Sequence, residues 1–250
     1  MSSAHMAEEV YVILGATGGI GSALCRRLAA TGARLVVGAR RPDELAALAE
    51  ETGAQAFALD ARQFDEVDSC LDRALEVYGR VDGVVNCVGS LLLKPAHLTT
   101  EAEWASALAT NLGSAFAAVR AGARAMLKTG GSIVLVSAAA ARAGLASHEA
   151  IAAAKAGVIG LTLAAAASYA ARQVRVNCVA PGLVRTPLTA RITGNEAALN
   201  ASAALHALGR VGEPGEVASA IAWLLAPEQG WVTGQVLGVD GGLATVRPRA

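Results

Sequence analysis

Aromatic side chains are scarce in this chain. They make up 4% of its 250 residues, and only three are tyrosines: Tyr11, Tyr78 and Tyr169. Chemistry that needs a phenol must draw on those three. Net charge is also lacking: Lys+Arg and Asp+Glu stand at 21 each. No sustained positive field is available to hold nucleic acid or an anionic membrane. Cysteine is limited to Cys25, Cys70, Cys87 and Cys178, far apart, with no CxxC pair and no Cys/His cluster at metal spacing. The expectation is four reduced thiols in a cytoplasmic protein, with no metal. The longest uncharged stretch, residues 156–171, is mostly alanine and falls short of the roughly 20 strongly apolar residues of a membrane span. The N-terminus has no charged region followed by an apolar one, so no secretion signal is expected. Residues 1–6 (MSSAHM) have the look of a cloning scar, with Met6 as the native start.

Apolar residues are abundant, at 54% of the chain against 17% charged, enough for a substantial core. Short β-branched runs alternate with longer helical stretches. Strands are expected at 10–14, 35–37, 56–59, 84–86, 133–137, 174–179 and 236–239. Helices are expected at 20–31, from Pro42 onward, and at 64–78, 101–127, 147–171 and 214–225. This alternation predicts an α/β fold, a single doubly wound (Rossmann) parallel sheet of about seven strands with helices on both faces. Residues 7–250 read as one domain. The one long irregular region, residues 187–211, fits a substrate loop or lid and equally a short surface helical excursion. Its alanine and leucine content suits a mostly apolar substrate.

The strongest motif is Gly15-Ala16-Thr17-Gly18-Gly19-Ile20-Gly21, directly after the first strand and opening the first helix. A turn this tight needs residues without Cβ, so that backbone N–H groups can approach a pyrophosphate at the positive end of the helix. At the start of a βαβ unit the pattern points to a dinucleotide. The second strand ends in Gly38-Ala39-Arg40-Arg41, with no carboxylate until Asp43. An acidic residue there would bind a ribose 2′-hydroxyl, whereas arginine pairs with a 2′-phosphate. NADP(H) is therefore favoured over NAD(H). The alternative for Arg40 and Arg41 is a pair of solvated surface charges.

Over essentially its full length the chain resembles the short-chain dehydrogenase/reductase family. The glycine motif is a variant of that family's Thr-Gly-x-x-x-Gly-x-Gly. Asp60, followed by Ala61, resembles its adenine-binding aspartate. Asn86-Cys87-Val88-Gly89 stands where the family usually has Asn-Asn-Ala-Gly, and Asn111 stands as its structural and catalytic asparagine would. Asn177-Cys178-Val179-Ala180-Pro181-Gly182, with Val184 and Thr186 following, is similar to the turn that contacts the nicotinamide carboxamide. Val232-Thr233-Gly234-Gln235 through Asp240-Gly241-Gly242 resembles its C-terminal signature. The resemblance implies dinucleotide contacts along these segments and at Lys155. It also implies a homo-tetramer or homo-dimer.

The catalytic pattern departs from the family. The family's tyrosine stands four residues before its lysine, whose charge lowers the phenol's pKa. Lys155 is present, but residue 151 is isoleucine, and the family's substrate-orienting serine aligns with Ala138. Ser137, its neighbour, serves only if the strand end turns differently. His148 lies seven residues before Lys155, within roughly 20° of the same helical face at 100° per residue. The resemblance supplies a precedent, because enoyl reductases of the superfamily place their tyrosine seven before the lysine. Imidazole titrates near neutrality, though Ser147-His148-Glu149 also suits a simple helix start. His97, in the segment after Gly89 that borders the substrate in the family, reads first as a surface histidine. His206, within 187–211, is equally open to a substrate-side or a surface reading, and Trp231 reads as core or subunit interface. Two functions follow. One is an NADP(H)-dependent reductase or dehydrogenase of a mostly apolar small molecule, with Lys155, Asn111, Ser137 and His148 as candidate catalytic residues. The other is a dinucleotide-binding homologue that has lost catalysis and serves as a structural or regulatory partner, as in a hetero-oligomer with an active relative.

Overall fold

The computed structural model describes residues 9–247; the segment read as a cloning scar lies outside the described residues. Strands β1 (Val10–Leu14), β2 (Arg34–Ala39), β3 (Gln55–Ala58), β4 (Gly83–Asn86), β5 (Gly131–Val136), β6 (Val174–Pro181) and β7 (Val236–Val239) form one sheet. Its order is β3-β2-β1-β4-β5-β6-β7, and every adjacent pair is parallel. The helices are α1 (Gly19–Ala29), α2 (Pro42–Thr52), α3 (Phe64–Tyr78), α4 (Glu101–Leu108), α5 (Ser114–Met126), α6 (Glu149–Tyr169), α7 (Ala190–Thr193), α8 (Glu196–Leu205) and α9 (Pro214–Leu225).

The inner strands are apolar at nearly every position because both faces are covered. In β1, Val10, Val12 and Leu14 pack into the layer with α3, α5 and α6. Tyr11 and Ile13, pointing the other way, pack with α1, α2 and α9. The strand's period of two thus divides one hydrophobic run between two cores. Local signals fix several helix ends. Pro42 opens α2, and Gly53 ends it in the left-handed region. Thr100 and Glu103 form a reciprocal capping box at the start of α4. At the far end of α9 the Arg175 guanidinium donates to the carbonyls of Leu224 at 2.9 Å and Ala226 at 3.2 Å, supplying the donors that the last helical turn lacks.

The structure corrects two expectations and gives the local form of a third segment. The helix expected over 101–127 is not continuous, because a π turn at Ala109–Gly113 separates α4 from α5. Residues 187–211 take the helical one of the two expected forms, comprising a 3-10 turn (Pro187–Thr189), α7 and α8. Lastly, α6 with its 3-10 extension, Glu149–Arg172, is long and apolar enough by composition to cross a membrane, with a mean hydropathy of 1.8 over its most apolar 18 residues. It packs along β6 as a helix of the inner layer.

Candidate functional site

Strand order reverses direction between β1 and β4, and in an open parallel sheet the crevice at that point, beyond the carboxyl ends of the strands, is where ligands bind. A cleft of about 330 Å³ lies there. It is lined by Gly15, Thr17, Gly18 and Gly19 after β1, by Arg40 and Arg41 after β2, by Asp60, Ala61 and Arg62 after β3, and by Val88 and Gly89 after β4. Gly15 has φ +75°, and a Cβ there would stand 2.8 Å from the Val88 nitrogen. Its N–H and that of Ala16 both end on the Gly38 carbonyl, at 2.8 and 3.1 Å. Helix α1 starts after Gly18 with no side-chain cap, so its first-turn N–H groups are left for an anion. Ile20 packs against the α1–α2–α9 core, and Gly21 lies against the backbone of Gly15 and Ala16. Thr186 reaches the same turn: a Cβ on Gly19 would fall 2.7 Å from its Cγ2.

At the other end the cleft is rimmed by arginines. Arg41 is held by Glu44 at 2.7 Å, and Arg62 by Asp60 at 2.5 Å. Arg40 is exposed and makes no ion pair among the described residues. The Arg62 hydrogen bonds hold the Asp60 carboxyl below its ordinary range, with Arg40 adding a smaller effect. Sequence reasoning missed Arg62. Its signal was the Asp60-Ala61-Arg62 order at a strand end, where a cation two residues on can fold back onto the carboxylate.

The opposite end gathers Gly89, Asn111 and Lys155. A Cβ on Gly89 would lie 3.2 Å from Asn111 Oδ1 and 3.5 Å from Lys155 Nζ. Asn86 shapes the approach: its Oδ1 accepts from the Val88 N–H at 3.2 Å, and its Nδ2 donates to Ser114 Oγ at 3.0 Å. Asn111 is buried in the π turn. Its Oδ1 accepts from the Ser90 N–H at 3.1 Å, while Nδ2 donates to Ser90 Oγ and to the Ala107 carbonyl, both at 2.9 Å. Gly157 lets α6 close onto this turn, since a Cβ there would meet Leu112 Cδ2 at 2.8 Å.

Lys155 is 7% exposed, and its ammonium donates to the Val136 carbonyl at 2.8 Å. Burial pulls its pKa down from 10.5 to about 8. The nearby thiols are not anionic counterparts: burial pushes Cys87 up to about 12 and Cys178 up to about 11.

Ser137 is not aimed at the cleft. Its hydroxyl is buried and donates to the Lys155 carbonyl at 2.7 Å. Strand alternation puts residue 137 on the face against α6, and its hydroxyl proton is already used. Ile151 is buried on α6, about one helical turn before Lys155. His148 occupies the start of α6. Its Nδ1 donates to the Ala146 carbonyl at 2.8 Å, which leaves Nε2 for other partners. The tyrosines lie elsewhere: Tyr11 on β1, Tyr78 ending α3, and Tyr169 ending α6, about 21 Å of helical rise beyond Lys155.

Several other candidates fall away from the cleft. Pro181 is buried at the end of β6. Gly182 instead lines a separate cavity of about 400 Å³ with His206, and Val184 is buried and bridges to Gly212. His206 is no surface residue. Its Nδ1 donates to the Ser202 carbonyl at 2.8 Å, and its Nε2 accepts from the Leu183 N–H at 3.1 Å. It ties α8 to the segment after β6. His97 is exposed on a 3-10 turn. Trp231 is 100% exposed, which removes it from the core.

A family model described as Enoyl-(Acyl carrier protein) reductase matches residues 15–244. The cis-4-hydroxycyclohexanecarboxylate dehydrogenase of Sinomonas cyclohexanicum is 38% identical over 246 residues, covering 96% of this chain and 98% of that protein. The 3-oxoacyl-acyl-carrier-protein reductase FabG of Thermotoga maritima is 35% identical over 243 residues, covering 94% and 97%. Among solved structures, a short-chain type dehydrogenase/reductase from Mycobacterium ulcerans superposes with a TM-score of 0.91 at 32% identity, covering 95% of this chain and 90% of that one. A variant of actinorhodin polyketide ketoreductase with NADPH also gives 0.91, at 31% identity, covering 97% and 100%. With the sheet order and the glycine-lined crevice already in place, these likenesses show that the chain belongs to the short-chain dehydrogenase/reductase family of oxidoreductases.

Proposed function

We propose that this protein is an NADP(H)-dependent oxidoreductase that acts on the carbonyl, hydroxyl or enone of a mostly apolar small molecule, using a proton donor other than tyrosine. The observation that carries this reading is the crevice itself. At one end Arg40, with no ion pair among the described residues, stands beside Arg41 and Arg62; at the other, Gly89 leaves Lys155 Nζ and Asn111 within reach of the same small space. The glycine turn and the uncapped start of α1 suit a pyrophosphate between the two ends. A 2′-phosphate would fall to Arg40, whose guanidinium is not already committed to a carboxylate. When bound, the nicotinamide supplies or accepts the hydride. Lys155 would bind the adjoining ribose and keep positive charge near the reacting oxygen. His148, with Nδ1–H fixed on Ala146, keeps Nε2 to hold or release a proton. Pro187 and Leu188 at the cleft edge favour an apolar substrate. We further propose a homo-dimer or homo-tetramer, since Phe116 on α5 and Leu163 on α6 leave about half their surface exposed.

The catalytically impaired homologue remains the second reading, favoured by the burial of Ile151 and the committed hydroxyl of Ser137. The test combines purified protein with NADPH or NADH and a panel of ketones, β-ketoacyl thioesters and enones. Consumption of NADPH in preference to NADH, lost in His148→Ala, supports the reductase with a relocated acid. Dinucleotide binding without consumption, together with activity created by Ile151→Tyr, establishes the impaired homologue instead.

A further inference from the structure

One role stands unfilled: with Ala138 at the usual serine position and the Ser137 proton committed to the Lys155 carbonyl, the segment just after β5 leaves no hydroxyl to hold a substrate oxygen. Another hydroxyl stands close by. Ser90 follows Gly89, whose Cβ position lies 3.2 Å from Asn111 Oδ1 and 3.5 Å from Lys155 Nζ. Its backbone N–H donates to Asn111 Oδ1 at 3.1 Å, and its Oγ accepts from Asn111 Nδ2 at 2.9 Å. Asn111 is then fully committed, because its second amide proton goes to the Ala107 carbonyl at 2.9 Å. Ser90 Oγ, by contrast, only accepts. Its own proton has no acceptor among the described residues, and accepting from an amide makes a hydroxyl a better donor. The segment is anchored a second time four residues on, where the Lys94 N–H donates to the Ser147 carbonyl at 2.8 Å, next to His148. The run from Gly89 to Lys94 therefore spans from the Asn111–Lys155 cluster to the start of α6, with a half-buried serine at its inner end.

We propose that Ser90 Oγ–H is the hydrogen-bond donor that holds the reacting oxygen of the substrate, in the role for which the strand end offers no hydroxyl. This rests on the reductase reading above. Asn111 sets the direction of the donor: with its amide protons on Ser90 Oγ and Ala107, it presents the serine proton away from itself. The arrangement requires both residues. Asn111 is the positioning residue, and Ser90 is the one that touches substrate.

Inert tertiary alcohols, 1-methylcyclohexanol and tert-amyl alcohol, cannot be oxidised and so allow an equilibrium test. Calorimetry would measure NADP+ binding first, then alcohol binding to the NADP+-saturated protein, for wild type, Ser90→Ala and Ser90→Thr. Losing one hydrogen bond to the oxygen is expected to weaken alcohol binding by about 5- to 10-fold in Ser90→Ala. Ser90→Thr, which keeps the hydroxyl, should stay within about 3-fold of wild type, and all three proteins should bind NADP+ within about 2-fold of one another. Alcohol binding that is equal in Ser90→Ala and wild type overturns the proposal, whatever happens to the melting temperature. So does NADP+ binding with no alcohol binding in wild type, although the dinucleotide site then stands. Failure of wild type to bind NADP+ removes the reductase reading and this proposal with it.

Discussion

Replacing Lys155 with methionine should make the protein more stable at neutral pH, and the gain should vanish in alkali. Lys155 is 7% exposed, its ammonium has the Val136 carbonyl as its hydrogen-bond partner, and no carboxylate among the described residues is paired with it. Burial lowers its pKa from 10.5 to about 8. At about 1.4 kcal/mol per factor of ten in an equilibrium constant, that drop corresponds to roughly 3 kcal/mol of unfavourable charge burial. The pH window follows from proton counting. Below about 8 the lysine is protonated in both the folded and unfolded chain, so the full cost is present; between about 8 and 10.5 the unfolded chain holds the extra proton. Stability therefore rises with pH through that window and gains nothing further above it. Methionine removes the charge and keeps the apolar stem, but it leaves the Val136 carbonyl without a donor, at a cost of about 1–2 kcal/mol. The expected net gain at pH 7 is about 1–2 kcal/mol, turning into a loss near the upper end of the window. Urea unfolding of Lys155→Met and wild type at pH 7 and pH 10, without dinucleotide, measures the difference, and general alkaline weakening cancels between them. A stability difference that does not change over that range would show that the buried charge is not what sets it. A methionine protein less stable than wild type at pH 7 would refute the reasoning as well.

Gly15→Ala should cost at least about 2 kcal/mol of stability, because φ is +75° there and the new Cβ would stand 2.8 Å from the Val88 nitrogen; thermal melting checks this, and unchanged melting would contradict the crowding. Arg40→Ser should weaken NADPH binding by about 10- to 100-fold while changing NADH binding little. A fluorescence titration with both dinucleotides reads the ratio, and equal losses for the two would assign Arg40 a different role. Asn86→Ala should destabilise by about 2–4 kcal/mol, since the Val88 N–H and Ser114 Oγ both lose their partner. Urea unfolding measures it, and a loss under about 1 kcal/mol would count against it. Tyr11→Phe should leave stability unchanged or raise it by about 1–3 kcal/mol, because the Tyr11 hydroxyl is buried with no hydrogen-bond partner among the described residues; a clear loss would mean the hydroxyl is satisfied after all.

The strands were legible in the sequence because parallel strands buried on both faces leave uninterrupted apolar runs, as in Val10–Leu14. The phosphate-binding end was legible too, since Gly15 to Gly21 concentrates residues chosen for backbone approach rather than for side chains. What periodicity could not show was the direction of individual side chains at element ends. Ser137 and Ala138 differ by one position, yet strand alternation sends the serine to the Lys155 carbonyl. His206 stands in a stretch whose residue types leave its side chain open to either a substrate-side or a surface position. It is buried because two backbone groups, Ser202 O and Leu183 N–H, happen to bracket the ring. Arg62 offers only the Asp60-Ala61-Arg62 order, and Ser90 carries no motif at all. Their partners are 2 and 21 residues away in the chain, and only the folded sheet ends bring the second pair together.

The π turn at Ala109–Gly113 sets the helix and its asparagine in opposition. Removing the surplus residue would let α4 and α5 run on as one regular helix. It would also rotate one half against the other by about 100°, turning Asn111 away from Ser90 or α5 away from the sheet. Substitutions that favour a smooth helix across this stretch would therefore raise helix stability while taking apart the place where the π turn, the segment after β4 and α6 come together at Asn111 and Lys155. A stabilised variant obtained that way would keep its fold and lose its geometry.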